Sequence, residues 1–200
     1  RGMLHRGDRR FKVVYATGLR VSSEEVAEGA GAGGEWGRAE KLQRCFQPSA
    51  DFMGELRPGA AAAHAERKQQ RRATATTGGA TITHTYTSGS KYTGGFVDGR
   101  LHGRGVYTYA SGDTYDGEWR DDEKHGAGAY TYSNGDRYAG QWAGNRKEGR
   151  GVYSMASGDE YTGEWRADQM CGRGVIHCAR DGSRYDGGWA GGRKHGFGVL

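Results

Sequence analysis

The chain has 200 residues, a formal net charge of +5 and 34% hydrophobic residues, a low fraction for one thick-cored domain of this length. Its 38 glycines come with only two prolines, which excludes a collagen-like or proline-rich chain. The 12 tyrosines, 5 tryptophans and 5 phenylalanines argue against disorder, and no apolar run is long enough for a transmembrane helix. Glycine and aromatic residues together predict thin β structure with rings packed over backbone.

Residues 1–77 differ in composition from the rest of the chain. They contain 14 Lys/Arg against 9 Asp/Glu, whereas residues 78–200 contain 15 of each, so the whole net charge lies in the first segment. Ten of the glycines and a single tyrosine, Tyr15, precede residue 78. We therefore predict a boundary near Gly78, with residues 1–77 forming a basic N-terminal arm that is partly disordered or docked on a partner.

Within this arm the local patterns are short and partly helical. Residues 11–15 are typical of a strand, residues 22–25 of a helix start, and residues 35–46 and 59–72 of short helices. None could bury a core alone, so a docking arm and a flexible basic tail both stay open. The excess of arginine in residues 1–21 is similar to an organelle-targeting composition.

A repeat of 23 residues occupies the remainder of the chain. Each unit opens with a tyrosine followed by x-Gly-x-aromatic, and a Gly-x-Gly pair begins eleven residues after the tyrosine. The opening tyrosines are Tyr92, Tyr115, Tyr138, Tyr161 and Tyr185, spaced 23, 23, 23 and 24 residues apart. Residues 81–91 are interpreted as a half-repeat, and the fifth unit stops at Leu200, which suggests a fragment of a longer protein.

Alternation with period two predicts that each unit is a β-hairpin with one buried face. A three-residue loop, such as 110–112 with Gly112 left-handed, brings both tyrosine sets to that face. The resulting register pairs Tyr107 with Tyr115, Gly105 with Gly117, Gly103 with Trp119 and Tyr109 with Asp113. In the fourth unit, one extra loop residue keeps Ile176 opposite Tyr185 and Gly172 opposite Trp189.

This register predicts an aromatic stripe, the buried core of the array: Tyr107, Tyr115, Trp119, Tyr130, Tyr138, Trp142, Tyr153, Tyr161, Trp165, Tyr185 and Trp189. We expect bare backbone under these rings at the paired glycines: Gly103, Gly105, Gly126, Gly128, Gly149, Gly151, Gly172 and Gly174.

These motifs resemble the MORN (membrane occupation and recognition nexus) family, whose pattern is Tyr-x-Gly-x-Trp-x-x-Gly-x-x-His-Gly-x-Gly. The resemblance covers residues 81–200, with departures at Phe96, Asp122, Glu148, Asp168 and Cys171. It implies an all-β repeat fold, an elongated single antiparallel sheet of stacked hairpins.

Catalytic and metal-binding interpretations fit the repeat poorly. Equivalent histidines (His102, His125 and His195) would lie roughly 10 Å apart, too far to share a zinc ion. The Gly-x-Gly pairs precede strands, whereas phosphate loops precede helices. Cys171 and Cys178 should point to opposite faces, and unpaired cysteines fit an intracellular compartment. We therefore predict no enzyme activity, cofactor, metal, small-molecule substrate or nucleic acid.

Cations suited to contacting a protein partner or anionic lipid occur in the arm and between the predicted strands. They are Arg67, Lys68, Arg71, Arg72, Arg100, Lys124, Arg146, Lys147, Arg193 and Lys194. Acidic residues interleave with those of the array, which weakens the case for membrane binding.

The family resemblance implies a non-catalytic scaffold for protein–protein contacts in a large intracellular assembly, with the cytoskeleton or the ciliary axoneme favoured. The alternative is a regulatory or phospholipid-binding segment of a longer enzyme, such as a phosphatidylinositol-phosphate kinase. Residues 196–200 should leave an open strand edge, so strand addition or end-to-end dimerisation is a further expectation.

Overall fold

The computed structural model describes residues 10–16, 19–26 and 81–200, and the thirteen strands within these ranges form one antiparallel sheet. The strands are β1 (Arg10–Ala16), β2 (Leu19–Val26), β3 (Ile82–Thr85), β4 (Lys91–Val97), β5 (Arg100–Thr108), β6 (Thr114–Arg120), β7 (Glu123–Thr131), β8 (Arg137–Ala143), β9 (Arg146–Ser154), β10 (Glu160–Arg166), β11 (Gln169–His177), β12 (Arg184–Ala190) and β13 (Arg193–Val199). Their spatial order is β2-β1-β13, followed by β12 down to β3. The predicted fold class is confirmed.

Two kinds of connection alternate along the array. In the three-residue loop after β5, Gly112 has φ of 90° and its N–H donates to the Tyr109 carbonyl at 2.9 Å. In the two-residue turn after β6, Asp121 and Asp122 have φ of 52° and 71°. Positive φ at both central residues is the type I′ geometry, whose twist matches that of the flanking strands.

The predicted hairpin register is confirmed by the strand pairing. The observed pairs include Tyr107 with Tyr115, Gly105 with Gly117, Gly103 with Trp119, Ile176 with Tyr185 and Gly172 with Trp189. The Tyr109 N–H donates to the Asp113 carbonyl at 2.9 Å, which closes the loop between them. Residues 82–85 pair with β4, as expected of a half-repeat.

A β-bulge explains the first glycine of each Gly-x-Gly pair. The register between β6 and β7 shifts after Gly117, so that Gly128 lies opposite Gly117 and His125 lies opposite Glu118. Gly126 falls in this bulge with φ of 57°, a left-handed conformation that favours glycine. A Cβ there would meet the Glu118 carboxylate. The aromatic-packing role predicted for Gly103, Gly126, Gly149 and Gly172 is therefore replaced by a backbone requirement.

The two described N-terminal segments extend the repeat sheet. β1 pairs with β13 over residues 12–15, and β2 pairs with β1. The strand predicted at residues 11–15 is confirmed, whereas the helix start predicted at residues 22–25 is wrong because these residues lie in β2. The β13 edge predicted to be open is covered by β1. The helices predicted at residues 35–46 and 59–72 fall outside the described residues.

The core of the sheet lies on one of its faces. Residues alternate between buried and exposed along most strands, as in β6, where Tyr115, Gly117 and Trp119 are buried and Asp116 and Glu118 are exposed. This is the period-two pattern of a sheet that packs one face and solvates the other. The buried face consists mainly of tyrosine and tryptophan.

Candidate partner-binding surface

The opening tyrosine of each repeat lies flat over two glycines that face each other on neighbouring strands. Tyr115 covers Gly117 and Gly128, and its hydroxyl donates to the Glu118 carbonyl at 3.0 Å. A Cβ on either glycine would come within 2.6–2.7 Å of Tyr115 ring carbons, which is shorter than any real contact. The second glycine of each pair is thus required by the ring above it.

The tryptophan of each repeat joins that repeat to the one before it. The Trp142 ring lies edge to face against Tyr138 of its own repeat at 5.1 Å and against Tyr115 of the preceding repeat at 5.4 Å. Its Nε1–H donates to the Gly128 carbonyl at 3.1 Å, so the indole polar group is satisfied. Trp119, Trp165 and Trp189 make the equivalent hydrogen bonds.

Of the eleven residues predicted for the aromatic stripe, ten are buried and Tyr130 is half-buried. The same core contains residues that the sequence analysis did not assign to it: Tyr15, Tyr86, Tyr92, Leu101, Met170 and Ile176. Leu101 and Met170 occupy one repeat position, which Lys124, Lys147 and Lys194 fill in the other units. No aromatic pattern identifies this position, so the sequence analysis had no signal for it.

Two of the predicted contact cations are buried among aromatic rings. Lys124 is 8% exposed, and its Nζ lies 4.6 Å from the Tyr130 ring centroid and 4.5 Å from that of Trp142. Lys147 is 6% exposed, with Nζ 4.7 Å from the Tyr153 ring and 5.1 Å from that of Trp165. We call each such set of rings an aromatic cage. Both lysines lie in strands and face the core, which corrects their predicted placement in exposed loops.

Burial lowers the pKa of Lys147 from its ordinary value of 10.5 to about 8. The carboxylates of Asp168 and Asp136 act in the opposite direction, but desolvation of the ammonium dominates.

The other predicted contact cations have different surroundings. Arg100, Arg146 and Arg193 are exposed, and Arg100 lies 3.7 Å from the Asp121 carboxylate. Lys194 is half-buried, with Nζ 4.8 Å from the Tyr185 ring. Arg67, Lys68, Arg71 and Arg72 lie outside the described residues.

Hydrogen bonds from side chain to backbone connect consecutive repeats along both edges of the array. At the loop edge, Asp113 accepts from the Ser133 N–H at 2.7 Å and from the Tyr130 hydroxyl at 3.0 Å. Asp136 makes the equivalent bonds in the next repeat. Burial would raise the pKa of Asp113, but the hydrogen bonds outweigh it and lower that pKa.

At the turn edge, the second turn residue accepts from a backbone N–H of the preceding repeat. Asp122 bonds Leu101, Asn145 bonds Lys124 and Asp168 bonds Lys147, at 2.8–3.0 Å. Asp122 and Asp168, which depart from the glycine of the resembled pattern, therefore have a structural role. The array is held at both edges, which fixes the geometry of the face between them.

Five tyrosines form a continuous ladder beside the loop edge, which we call the tyrosine ladder: Tyr107, Tyr109, Tyr130, Tyr132 and Tyr153. Successive ring centroids are 4.5, 5.8, 4.5 and 6.0 Å apart. Tyr109, Tyr130 and Tyr132 are half-buried, as is the adjacent Met155, whereas Tyr107 and Tyr153 are buried. The predicted stripe leaves out Tyr109 and Tyr132, although each lies two residues beyond a predicted stripe residue and so has the same parity.

Among the described residues, no group of three or more His, Cys, Asp or Glu side chains could hold a metal ion. Cys171 and Cys178 do not form a disulfide with each other. Residues 10–16, 19–26 and 81–200 include no helix that could cross a bilayer.

Comparison with known families supports the repeat assignment. The family model for the MORN repeat matches five consecutive segments: residues 92–114, 115–137, 138–160, 161–183 and 185–200. These limits agree with the repeats defined by the opening tyrosines. A search of curated proteins finds no match.

Proposed function

Because this chain belongs to the MORN repeat family, we propose that it is a non-catalytic scaffold that binds other proteins of a large assembly. MORN repeats are often found in protein-binding or membrane-binding roles, and the proposal assigns this array to the first. We further propose an intracellular, cytoskeletal or ciliary assembly, which rests on the family resemblance alone.

The observation that carries the proposal is the half-buried part of the tyrosine ladder. Tyr109, Tyr130 and Tyr132 leave ring surface accessible while their neighbours fix their positions. Tyrosine is enriched in protein interfaces because its ring supplies contact area and its hydroxyl supplies a hydrogen bond at little cost in conformational entropy. A partner that covers these rings would bury apolar surface without leaving a charge unpaired.

The backbone under the ladder supports the same proposal. The loops that flank the ladder are hydrogen-bonded from Asp113 and Asp136 to the backbone of the next repeat at 2.7–2.9 Å. A surface that is already fixed loses little conformational entropy on binding. Equivalent tyrosines recur at the repeat interval, so a partner with a matching spacing would contact several repeats at once.

The test is quantitative affinity purification of the tagged full chain from its native cells. The variant is Tyr109→Ser with Tyr132→Ser, and the matched control is Thr108→Ser with Thr131→Ser, exposed neighbours that face the opposite side. We expect the variant to lose proteins that the control retains, and purified partners to bind the variant at least about tenfold more weakly. Thermal melts must first show that both variants are folded. Equal capture and equal affinity for variant and control would refute the ladder as the binding surface.

Two further measurements address the narrower parts of the proposal. Microscopy of the tagged chain should show filamentous or axonemal labelling, and diffuse labelling would contradict a cytoskeletal assembly. Flotation with phosphatidylserine vesicles at about 0.15 M salt should show no binding, because Lys124 and Lys147 are buried and Arg100 lies close to an acidic residue. Flotation that is lost on replacing Arg146 and Arg193 would instead favour a membrane-binding module.

A further inference from the structure

The last strand of the repeat array, β13, pairs with a strand from the other end of the chain. Lys12, Val13, Val14 and Tyr15 pair with Val199, Gly198, Phe197 and Gly196, respectively. Every other pair of neighbours in the described sheet is consecutive in sequence. The β1–β13 pair is therefore the one contact in this sheet that requires distant parts of the chain to meet.

Tyr15 occupies the place of a repeat tryptophan. In each internal repeat the first glycine of the Gly-x-Gly pair lies opposite the tryptophan of the next unit, as Gly126 does with Trp142. At the last pair, Gly196 lies opposite Tyr15. The backbone position is thus that of the first strand of a sixth repeat.

The ring contacts of Tyr15 repeat those of the tryptophans. Trp142 meets the opening tyrosine of the preceding repeat edge to face at 5.4 Å and 83°, and Tyr15 meets Tyr185 at 5.5 Å and 84°. The Lys194 Nζ lies 5.7 Å from the Tyr15 ring, as a caged lysine would. Tyr15 is 6% exposed and belongs to the core. The β13 edge is therefore an acceptor site for an extended strand with an aromatic side chain opposite Gly196.

We propose that this acceptor site binds β1 of a second copy of the chain, and that two copies exchange their β1–β2 hairpins reciprocally. Each copy carries the strand that fits the site, and the contacts made by Tyr15, Tyr185 and Lys194 are the same within one chain or between two. Reciprocal exchange fills both acceptor sites and closes the dimer.

The position of the hairpin in the sheet favours exchange. β2 and β3 are the two outermost strands, so the chain leaves one end of the sheet at Val26 and re-enters at the other end at Ile82. Closing this long connection within one chain costs more conformational entropy than closing a short hairpin connection. A second copy supplies the same strand at a cost that falls as protein concentration rises.

The test is disulfide cross-linking between β1 and β13 of the full chain. Val14 and Phe197 lie opposite each other, so Val14→Cys and Phe197→Cys place two thiols within reach of a disulfide. Both substitutions are made in a background with Cys45, Cys171 and Cys178 replaced by alanine. The two single variants are unfolded, mixed at high concentration, refolded and oxidised. We expect a cross-linked pair of twice the 21.7 kDa chain mass, and a reciprocal dimer of the unmodified chain by light scattering.

Controls separate exchange from random collision. Val106→Cys, exposed on β5 away from β1, should cross-link to Val14→Cys at least about tenfold less than Phe197→Cys does. Without the cysteines, Tyr15→Ala should reduce the dimer fraction at least about tenfold, whereas Tyr15→Trp should retain it because the repeats carry tryptophan there. In a variant that carries both Val14→Cys and Phe197→Cys, a disulfide that forms only within one chain would overturn the proposal. So would equal cross-linking to Val106→Cys, or a monomer at all concentrations.

Discussion

The third and fourth repeats fill the same buried position with different chemistry. The third places Lys147 there, 6% exposed, and the fourth places Met170, fully buried. Six residues further on, the third repeat carries Tyr153, whose ring lies 4.7 Å from the Lys147 Nζ, and the fourth carries Ile176. Lys147 therefore has an aromatic residue at the position where Met170 has an aliphatic one.

This difference shows what the stripe requires at that position. A long unbranched side chain fills the space in both repeats, and an ammonium is accommodated where rings surround it, with each favourable ring contact contributing about 0.5–2 kcal/mol. Desolvation of the ammonium lowers the pKa of Lys147 and outweighs the opposing effect of the Asp168 and Asp136 carboxylates. The lysine cages therefore maintain packing at some cost in charge burial.

Both kinds of repeat contain a tryptophan, and removing it should have the largest effect on stability. Trp142→Ala deletes contacts with Tyr115, Tyr138 and Lys124 and the hydrogen bond to Gly128. We expect a loss of roughly 3–5 kcal/mol in the free energy of unfolding, measured by chemical denaturation. Trp142→Phe should lose less because it retains a ring. No loss for Trp142→Ala would refute the stripe as the core of the array.

Placing a lysine at the position of Met170 tests this difference between the repeats directly. Met170→Lys places an ammonium at a position where Ile176 replaces the tyrosine that contacts Lys147, and we expect a loss of roughly 3 kcal/mol in stability. Met170→Leu, the residue type found at Leu101, should cost less than about 1.5 kcal/mol. Adding Ile176→Tyr to Met170→Lys should recover part of the loss in a double-mutant cycle. If the effects of Met170→Lys and Ile176→Tyr are additive, the introduced tyrosine ring does not stabilise the introduced lysine.

The pH dependence of stability should differ between the unmodified chain and Lys147→Met. Below about pH 8, Lys147 is charged in the folded and unfolded states, and its desolvation cost is fully present. Between about pH 8 and pH 10.5 the folded state binds fewer protons, so the free energy of unfolding should rise with pH, by roughly 1–2 kcal/mol before tyrosine ionisation begins.

At high pH, tyrosine ionisation ends the rise in stability. Burial raises the pKa of Tyr138 and Tyr161, so above about pH 10 the unfolded tyrosines lose protons first and stability falls. Lys147→Met should flatten the rise and leave the fall unchanged, as measured by denaturation at a series of pH values. The same rise in Lys147→Met and the unmodified chain would show that Lys147 does not cause it.

The smallest expected effect concerns the hydrogen bonds at the turn edge. Asp168→Gly keeps a backbone suited to φ of 70° but removes the acceptor for the Lys147 N–H, and should cost about 1 kcal/mol. Asp168→Asn, which reproduces the acceptor found at Asn145, should cost less than Asp168→Gly in thermal melts, because it removes only the charge near Lys147. Equal losses for both variants would mean that the carboxylate charge matters more than the hydrogen bond.

Much of the fold could be predicted because its determinants are local and repeated. The match of Tyr115 and Trp119 to glycines on the facing strands admits one hairpin register, and that register is observed. The cages could not be predicted, since Lys124 and Lys147 occur next to other charged residues and have the composition of a solvated loop. Their burial depends on rings contributed by neighbouring strands and by the following repeat.

The sequence by itself determined the repeat interval, the hairpins and the face that is buried, because each depends on residues close together in the chain. Only the tertiary structure decided the role of β1. Residues 12–15 show a strand pattern but nothing that indicates pairing with β13, since the partner lies at the far end of the sequence. That contact arises because Tyr15 fits the space opposite Gly196 where internal repeats place tryptophan, a match that becomes visible only when the sheet is assembled.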